Sequence, residues 1–541
     1  MDLNAPLPTD RELRSLLARH SALAESTDIV VRRSAYEALY ELTYKTRAKA
    51  QVAVPVLLRG LADLDEKIGE SCVYALAHCQ PASLSGLLEA LLHSAAFVRE
   101  RAAHALGNIG DDARVAASEA LRMCLSDPEP AVRSRAAWSL GLIHDDAPTT
   151  LASLGRLAGT GTVSDRSASL HALGTIGRAL DESQPLSDHK DVIISALTDS
   201  DADVRWSALY ASEGLNIGAD DRVALLADLL AGETNERVLT AILHQLGPLA
   251  THVAITSVEP RLIALLPLRG LTRSVCEVLE TMRPKPMEAS KALLALLEDD
   301  EHLLAAGRAL VRITGNAAPV VAALARLPAL DEGECDLVCE FGPAAAALVP
   351  RLIEAMADES WDLQWAAADA LNAVAGQAAD AVPVLMEALG HPSLIVRSAA
   401  GRALAQVGAA ALEPLRAVVR EYADPRLPWA AYALENMGPV AVPALPDLRE
   451  GLRCAQPLVE RACAFAVSRL AGDASTVPVL VSALLDHDPQ APRRAAAEAL
   501  GSLGPSAKAA VRPLRKMLKD SDPEVVEAAR QALGSILGSA H

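Results

Sequence analysis

One segment that recurs along the whole sequence constrains the fold of this chain most. It reads VRERAAHALGNIG from Val98 to Gly110, and altered copies of it follow one another at a regular interval. We take His104, which precedes an Ala-Leu pair, as the anchor of this repeat, and the other copies supply fifteen matching positions. The mean spacing is about 33 residues, which is typical of stacked repeats that contain two structural elements each. The sixteen anchors are Glu37, Tyr74, His104, Trp138, His171, Tyr210, His244, Glu277, Arg308, Cys339, Asp369, Arg402, Tyr432, Phe465, Glu498 and Gln531.

The recurring segment has the periodicity of an amphipathic helix. At about 100° per residue, its apolar residues fall within one arc of roughly 80°, which predicts a stripe that faces the core. The anchor lies about 150° from the middle of that stripe on the same helical wheel, so we expect it to point away from the core. We also expect Leu106 and Ile109, which belong to the stripe, to be buried. The stripe contains Val98, Ala102, Ala105, Leu106 and Ile109.

A second apolar run of similar length precedes each of these helices, as in residues 348–358, 381–390 and 476–486. A proline recurs at one register of these runs, where it fits the first turn of a helix or bends it. Asp followed by Pro, at 127–128, 488–489 and 522–523, is expected to cap and open the second helix. The pattern predicts an all-α fold, an α-solenoid of about sixteen two-helix repeats. The recurring prolines are Pro350, Pro383, Pro414, Pro443, Pro478 and Pro513.

Two helices, a proline in the first, and Asp followed by Val-Arg at the second resemble the HEAT repeat. More narrowly, they resemble the short bacterial HEAT-like repeats that include the phycobilin-lyase type, over residues 28–537. The resemblance implies a right-handed superhelix with the second helices on its concave side. It also implies that arginines opening the second helices pair with Asp residues of the same or neighbouring repeat. These arginines are Arg99, Arg133, Arg166, Arg205, Arg397 and Arg493, and the available partners are Asp127, Asp199 and Asp488.

The regularity of the repeats divides the chain into three parts. Residues 1–280 form an N-terminal arm, in which residues 180–190 form an inserted polar loop. In residues 281–343 the repeats are degenerate and the sequence Arg-Pro-Lys-Pro at 283–286 interrupts them, so we expect this part to flex. The regular pattern returns in residues 344–541, which form a C-terminal arm.

The composition agrees with packed helices in a soluble protein. Hydrophobic residues make up 51% of the chain but aromatic residues only 3%, which suits closely spaced helices. The net charge of −19 makes nucleic acid an unlikely partner, because binding to phosphates needs a cationic face. Eight cysteines without a CxxC pair predict free thiols in a reducing compartment.

The sequence also bears on location and source. The N-terminus lacks the pattern of a signal peptide, and no stretch of about 18 apolar residues predicts a membrane span. We therefore expect a cytoplasmic protein that does not insert into a membrane. Arginine outnumbers lysine 41 to 9 and alanine is abundant, which indicates a GC-rich bacterial gene.

The anchors of repeats 2 to 7 are the best candidates for a binding site. They read Tyr, His, Trp, His, Tyr, His in succession, although aromatic residues and histidines number only 28 of 541. Flat side chains on an outward helix face are suited to binding a peptide or protein segment. In the alternative interpretation, each ring lies against the adjacent helix and covers its backbone. The candidate partner-binding residues are Tyr74, His104, Trp138, His171, Trp206, Tyr210 and His244; Trp365 extends the pattern one turn before Asp369.

Histidines in this position predict partner binding that changes between about pH 5.5 and 7.5. A shared metal site is not expected, because His104, His171 and His244 lie on alternate repeats and therefore about 20 Å apart, whereas metal–nitrogen bonds are near 2 Å. We find no Gly-rich phosphate loop, nucleophile elbow or paired carboxylates, so we predict no cofactor and no catalytic residue. The HEAT-repeat enzyme deoxyhypusine hydroxylase relies on His-Glu dipeptides, which this sequence lacks.

The sequence therefore favours a protein that is not an enzyme. We expect a scaffold or adaptor that binds a partner protein or peptide in the concave groove of the N-terminal repeats. The alternative is a HEAT-like-repeat enzyme, similar to a bilin lyase or a DNA glycosylase, that acts on a bilin or on DNA. The identity of the partner and the oligomeric state stay open at this point.

Overall fold

The computed structural model describes residues 8–179, 186–215, 217–251, 253–376, 379–454, 456–486 and 492–538. This described part of the chain consists of helices and connecting turns and contains no strand. The chain forms two compact units, which divide between Pro286 and Met287. The predicted loop insertion falls largely on residues 180–185, and Asp488 on residues 487–491, both outside the described residues.

The first unit contains sixteen α-helices within its described residues. They are α1 (Asp10–Leu23), α2 (Ile29–Thr46), α3 (Val54–Gly60), α4 (Glu66–His78), α5 (Leu84–Ala90), α6 (Ala96–Ile109), α7 (Arg114–Cys124), α8 (Pro130–Leu142), α9 (Pro148–Thr160), α10 (Val163–Ala179), α11 (Lys190–Ala196), α12 (Ala202–Ser212), α13 (Ala219–Gly232), α14 (Glu236–Leu246), α15 (Glu259–Leu265) and α16 (Thr272–Thr281). Short 3₁₀ helices span Arg47–Ala53, Gly110–Ala113, Ser187–His189, Gly247–Leu249 and Val253–Val258.

The second unit repeats the same alternation. Its described α-helices are α17 (Ser290–Leu296), α18 (Asp300–Thr314), α19 (Ala318–Leu324), α20 (Glu332–Phe341), α21 (Val349–Ala355), α22 (Trp361–Ala375), α23 (Val382–Ala388), α24 (Leu394–Val407), α25 (Ala409–Arg420), α26 (Leu427–Asn436), α27 (Leu445–Gly451), α28 (Pro457–Ala471), α29 (Val477–Leu484), α30 (Arg493–Ser502), α31 (Val511–Met517) and α32 (Pro523–Leu537). Its 3₁₀ helices span Met287–Ala289, Gly342–Leu348, Ala379–Ala381, Gly438–Ala444, Ala474–Thr476 and Gly504–Ala510.

The even-numbered helices carry the sixteen anchors, one anchor on each helix. Within each unit every even-numbered helix packs on the next one, and most also pack on the odd-numbered helix that precedes them. Each odd–even pair is therefore one repeat, and the predicted α-solenoid of about sixteen two-helix repeats is confirmed.

Small residues let the even-numbered helices approach closely. A Cβ atom added to Gly141 of α8 would lie 2.9 Å from the Cα of Ala172 on α10. At the preceding crossing, the Ser139 hydroxyl of α8 donates a hydrogen bond of 2.8 Å to the backbone carbonyl oxygen of Ala103 on α6. The helices thus meet backbone to backbone, which explains why alanine, glycine and serine flank the anchors.

The recurring prolines mark the start of several first helices. Pro350, Pro383 and Pro478 are each the second residue of a short helix that follows a 3₁₀ helix. A proline costs little there, because the amide hydrogens of the first turn have no partner within the helix. Pro414 is an exception, since it lies inside α25.

The predicted Asp-Pro caps were correct at one site and wrong at another. Asp522 caps α32 by accepting a hydrogen bond of 2.9 Å from the Glu524 amide. Asp127 does not cap α8, because this helix begins only at Pro130 with Glu129 as its N-cap; the Asp127 carboxylate accepts a hydrogen bond of 3.0 Å from the Glu129 amide and pairs with Arg99 of the preceding repeat. The predicted core stripe was also correct only in part, since Leu106 is fully buried but Ile109, the last residue of α6, is half-buried.

The arginines that open the second helices form a ladder of ion pairs. Arg99 donates to both oxygens of Asp127 at 2.7 Å, so it bridges one repeat to the next. Its other terminal nitrogen donates to the carbonyl oxygens of His93 and Ser94, in the connection between α5 and α6. The acid partner lies in the following repeat in each of these pairs: Arg99–Asp127, Arg133–Asp165, Arg166–Asp199, Arg205–Glu233 and Arg493–Asp520.

The acidic partners in this ladder are largely buried. The Asp165 side chain has no exposed surface, and it accepts hydrogen bonds from Arg133 and Thr162. Burial alone would raise the pKa of Asp165, but these hydrogen bonds outweigh it and hold the pKa below its usual value. The predicted pairing is thus observed for five of the six arginines, with a glutamate in place of aspartate at Arg205, and these five tie neighbouring repeats together. Arg397 instead donates to the carbonyl oxygens of His391 and Pro392.

Candidate functional site

The anchor side chains form a ridge along the even-numbered helices. All sixteen are exposed or half-buried, whereas the residues beside them in sequence are mostly buried. Trp138 is 36% exposed, for example, while Ala137 and Ser139 have no exposed surface. The outward orientation predicted from the helical wheel is therefore present. We call the anchors from Tyr74 to His244, together with Trp206, the N-terminal ridge.

Three rings of the N-terminal ridge form a parallel column across α8, α10 and α12. The Trp138 and His171 ring centroids are 4.0 Å apart with planes inclined by 8°. On the other side, the His171 and Tyr210 centroids are 4.5 Å apart with planes inclined by 11°. Trp206 lies one turn before Tyr210, with centroids 6.0 Å apart. The rings thus stack on one another between repeats, an arrangement that neither sequence interpretation included.

Two arginines lie against Tyr210, at one end of this column, and against Trp206 beside it. The Arg178 Cζ atom is 3.8 Å from the Tyr210 ring centroid, and the Arg237 Cζ atom is 4.0 Å from that of Trp206. Arg178 also pairs with Glu213, the residue that follows α12. Each cation–π contact contributes about 0.5–2 kcal/mol. The column is therefore held in place by contacts from helices of several repeats.

His171 lies inside the column as a neutral ring. Burial, aided by the positive charges of Arg178 and Arg237, lowers the pKa of His171 to about 4. Its Nδ1 atom is buried and has no hydrogen-bond partner among the described residues. Burial and Arg135 likewise lower the pKa of His104 to about 4. The expected response between pH 5.5 and 7.5 is wrong for these two histidines, because their environment disfavours the charged form.

A second aromatic cluster begins the ridge. Tyr74 meets His104 edge to face, with centroids 5.7 Å apart, and Tyr40 of α2 at 6.3 Å. Tyr44 and His78 complete the cluster. Their ring centroids are 5.4 Å apart, and the His78 centroid lies 6.2 Å from that of Tyr40. Tyr40, Tyr44 and His78 were not predicted, because the repeat pattern defines only one anchor per repeat. Their spacing of one helical turn, from Tyr40 to Tyr44 and from Tyr74 to His78, was the available signal.

One candidate residue, His244, lies outside these ring contacts. His244 is exposed on α14 and stacks on no ring of the described chain. A cavity of about 380 Å³ borders Trp138 and is also lined by Glu100, Arg135 and Ser134. Glu100 and Arg135 form an ion pair of 3.5 Å. The predicted residues therefore gather into two clusters with His244 apart from both.

Two further observations concern metal binding and membrane-spanning helices. Over the ranges that the structure describes, no group of three or more His, Cys, Asp or Glu side chains is placed to hold a metal ion. Over the same ranges, no helix is both long enough and apolar enough to cross a membrane.

Stacked helical pairs with outward anchors on every second helix define an α-solenoid repeat protein. A family model described as HEAT repeats matches residues 84–174, 348–435 and 445–536, just over half of the chain. The chain belongs to the HEAT-repeat family.

Solved structures share this fold at low sequence identity. The crystal structure of importin beta is 13% identical, with a TM-score of 0.50 over 98% of this chain and 90% of that one. Kap121p is 14% identical, with a TM-score of 0.36 over 99% of this chain and 75% of that one. An engineered protein is 23% identical, with a TM-score of 0.28 over 37% of this chain and 95% of that one. No curated protein sequence matches this chain. These likenesses concern the fold alone.

Proposed function

We propose that this protein is a non-catalytic scaffold or adaptor that binds a segment of a partner protein along the N-terminal ridge. The observation that carries the proposal is the column of Trp138, His171 and Tyr210 on three rigid helices. Rings that are already ordered lose little conformational entropy when a partner covers them. Tryptophan and tyrosine are also the residues that most often dominate the binding energy of protein interfaces.

The length of the N-terminal ridge suits an extended polypeptide. Neighbouring packed helices lie about 8–10 Å apart, so six consecutive anchors cover about 45 Å. An extended chain advances roughly 3.3 Å per residue, and a segment of about 14 residues would follow the whole ridge. Trp138 and His171 lie at its middle, where the dominant residues of an interface are usually found.

The charge distribution supports a protein partner over DNA. The four arginines that could have formed a cationic face in this unit are Arg99, Arg133, Arg166 and Arg205, and each one pairs with a carboxylate. Arg178 and Arg237 are also engaged, with rings and with acidic side chains. A nucleic acid would have to displace these contacts to neutralise its phosphates.

The proposal is tested by capturing partners from an extract of the native host. The wild-type chain and a double variant, Trp138→Ala with Tyr210→Ala, are immobilised side by side, and bound proteins are identified by mass spectrometry. We expect at least one protein to bind the wild type and to be lost from the double variant. A matched variant, Trp361→Ala with Trp365→Ala, removes a pair of exposed rings on α22 in the second unit. This variant should retain that protein.

Three results would contradict the scaffold proposal. The first is that the Trp138/Tyr210 double variant captures the same proteins as the Trp361/Trp365 double variant. The others are salt-sensitive retention of DNA, and purification of the chain with a bound chromophore. Either of these two would favour the alternative of an enzyme that acts on DNA or on a bilin.

A further inference from the structure

A cavity of about 660 Å³ opens among the even-numbered helices of the second unit. It lies at three consecutive anchors, Tyr432 of α26, Phe465 of α28 and Glu498 of α30. Ala462 and Ala495 contribute only methyl groups to the lining, which leaves space between the helices. The volume falls within the range of cavities that bind small molecules. This cavity is separate from the N-terminal ridge.

Part of the lining is aromatic. Trp429 and Tyr432 meet edge to face, with centroids 5.8 Å apart, and Phe465 faces the same space. The π face of such rings attracts cations. Trp429 already has a cation against it, because the Arg397 Cζ atom lies 5.4 Å from its centroid. Tyr432 and Phe465 are therefore the rings that remain for a ligand.

The same lining contains a carboxylate whose negative charge is only partly balanced by a neighbouring arginine. The Glu435 side chain is only 14% exposed, and one of its oxygens is 3.0 Å from the Nε atom of Arg469. Burial raises the pKa of Glu435, and Arg469 offsets this only in part. A second positive charge in the cavity would stabilise this carboxylate further.

The charges around the cavity favour a cation over an anion. Three carboxylates and two guanidinium groups line it, which leaves one negative charge in excess. Both arginines are engaged, Arg469 with Glu435 and Arg461 with Asp486 at 3.3 Å. Glu498 pairs with Arg494, which is not part of the lining. The negative charge in excess therefore favours a cation, which can use the second carboxylate oxygen of Glu435 without breaking the ion pair with Arg469.

We propose that this cavity binds an organic cation, an ammonium or guanidinium group on a short apolar stem. The charged group lies at Glu435, and the stem packs against Tyr432 and Phe465. A free small molecule and a basic side chain of a polypeptide share this chemistry. Catalysis forms no part of the proposal.

Isothermal titration of the full chain with butylguanidinium and butylurea tests the proposal. The two probes have the same stem and nearly the same planar head, and they differ in charge. We expect butylguanidinium to bind at least about tenfold more tightly than butylurea, since an ion pair with the partly buried Glu435 depends on the charge. Equal binding of the two probes, or no binding of butylguanidinium at millimolar concentration, would overturn the proposal.

Two variants of the lining separate binding from folding. Glu435→Gln keeps the shape of the side chain and removes its charge, so the preference for butylguanidinium should disappear. Glu498→Gln changes an exposed residue, leaves the fold intact, and should weaken butylguanidinium binding several-fold. Asp369→Asn is the matched control, because Asp369 is an exposed anchor on α22 outside the cavity. Unchanged selectivity in both glutamine variants, with normal circular dichroism, would contradict the assignment.

A peptide pair distinguishes the two sources of the cation. Blocked pentapeptides of glycine and serine carry either arginine or its neutral analogue citrulline at the centre. Tighter binding of the arginine peptide than of butylguanidinium identifies a polypeptide side chain as the ligand. Tighter binding of butylguanidinium identifies a free small molecule.

Discussion

The indole of Trp138 and the imidazole of His171 stack with their centroids 4.0 Å apart and their planes inclined by only 8°. The two residues are one repeat apart in sequence, and each stands at the anchor position of its helix. The contact therefore joins two repeats outside the apolar core. It makes the two rings one rigid surface, which can both stabilise the repeats and meet a partner.

His104 and His171, which are half-buried, make the stability of the first unit depend on pH. Their folded-state pKa is about 4, below the ordinary value of 6.5, so the unfolded chain binds these protons more tightly. Stability is then complete above about pH 6.5 and is lost as the pH falls from 6.5 towards 4. We expect the variant His104→Phe with His171→Phe to lose less stability over this range than the wild type. Thermal melts at a series of pH values measure this. His244→Phe, at an exposed position, is the control, and equal slopes for wild type and double variant would contradict the assignment.

Close approach of helices makes Gly141 sensitive to a single methyl group. A Cβ atom there would lie 2.9 Å from the Cα of Ala172, so Gly141→Ala should destabilise the chain by about 1–3 kcal/mol. Gly534 in α32 has no atom within 4 Å of an added Cβ. Gly534→Ala should therefore stabilise its helix by about 0.5–1 kcal/mol. Urea unfolding followed by circular dichroism measures both. If both substitutions changed the free energy of unfolding in the same direction, the packing between α8 and α10 would be looser than this 2.9 Å distance implies.

The arginine ladder predicts a large difference between two aspartates. Asp165 is fully buried beside Arg133, so Asp165→Ala should cost about 3–5 kcal/mol because it leaves a partly buried arginine unpaired. Asp146 is exposed, 4.0 Å from Arg114, and Asp146→Ala should cost about 1 kcal/mol or less. Chemical denaturation of both variants is the measurement. Similar small costs at both sites would mean that the ladder does not hold the repeats together.

Repeats that contact mainly their neighbours should loosen locally. Leu106 is fully buried in α6, and Leu106→Ala should cost about 2–5 kcal/mol. Hydrogen exchange should then rise in α4, α6 and α8 and stay unchanged in the second unit, because solenoids couple nearest repeats most strongly. A uniform rise across both units would contradict this.

We also expect the part of the chain at 281–343 to be the most sensitive to proteases. The Val-Arg signature is lost there, and residues 282–286 connect α16 to the following 3₁₀ helix without helical structure. Limited proteolysis should cut between α16 and α17 first and leave two helical fragments. Earlier cleavage within α4 to α10 would refute this expectation.

The sequence predicted the repeats well, because the apolar period of each second helix directly determines which face is buried. The positions of all sixteen anchors on second helices and their exposure followed from that period alone. Contacts between repeats were harder to predict, since they depend on how far one helix is shifted along its neighbour. For this reason Asp165, Glu233 and Asp520 were not predicted as partners of the ladder arginines, and the stacking of His171 between two rings was not foreseen.

The candidate sites show the same limit. The anchors from Tyr74 to His244 were identified in sequence, but Tyr40 and His78, one turn away, were not. The cavity at Tyr432 and Phe465 depends on small residues in a neighbouring repeat, and a pattern of one residue per repeat contains no such information.

The central claim is that the stacked rings of the N-terminal ridge bind a partner protein. The most direct test is calorimetric titration of the captured partner into the wild type and into the variant Trp138→Ala with Tyr210→Ala. Loss of two aromatic anchors should weaken binding by at least about 2 kcal/mol, or roughly thirtyfold in Kd. Removal of the stack should also lower stability, by about 0.5–1.5 kcal/mol for each ring pair lost, so titration is done below the melting temperature. The variant Trp361→Ala with Trp365→Ala should bind like the wild type. Equal affinity of the ridge variant and the wild type, with both chains folded, would show that the rings only pack repeats together and would contradict the account.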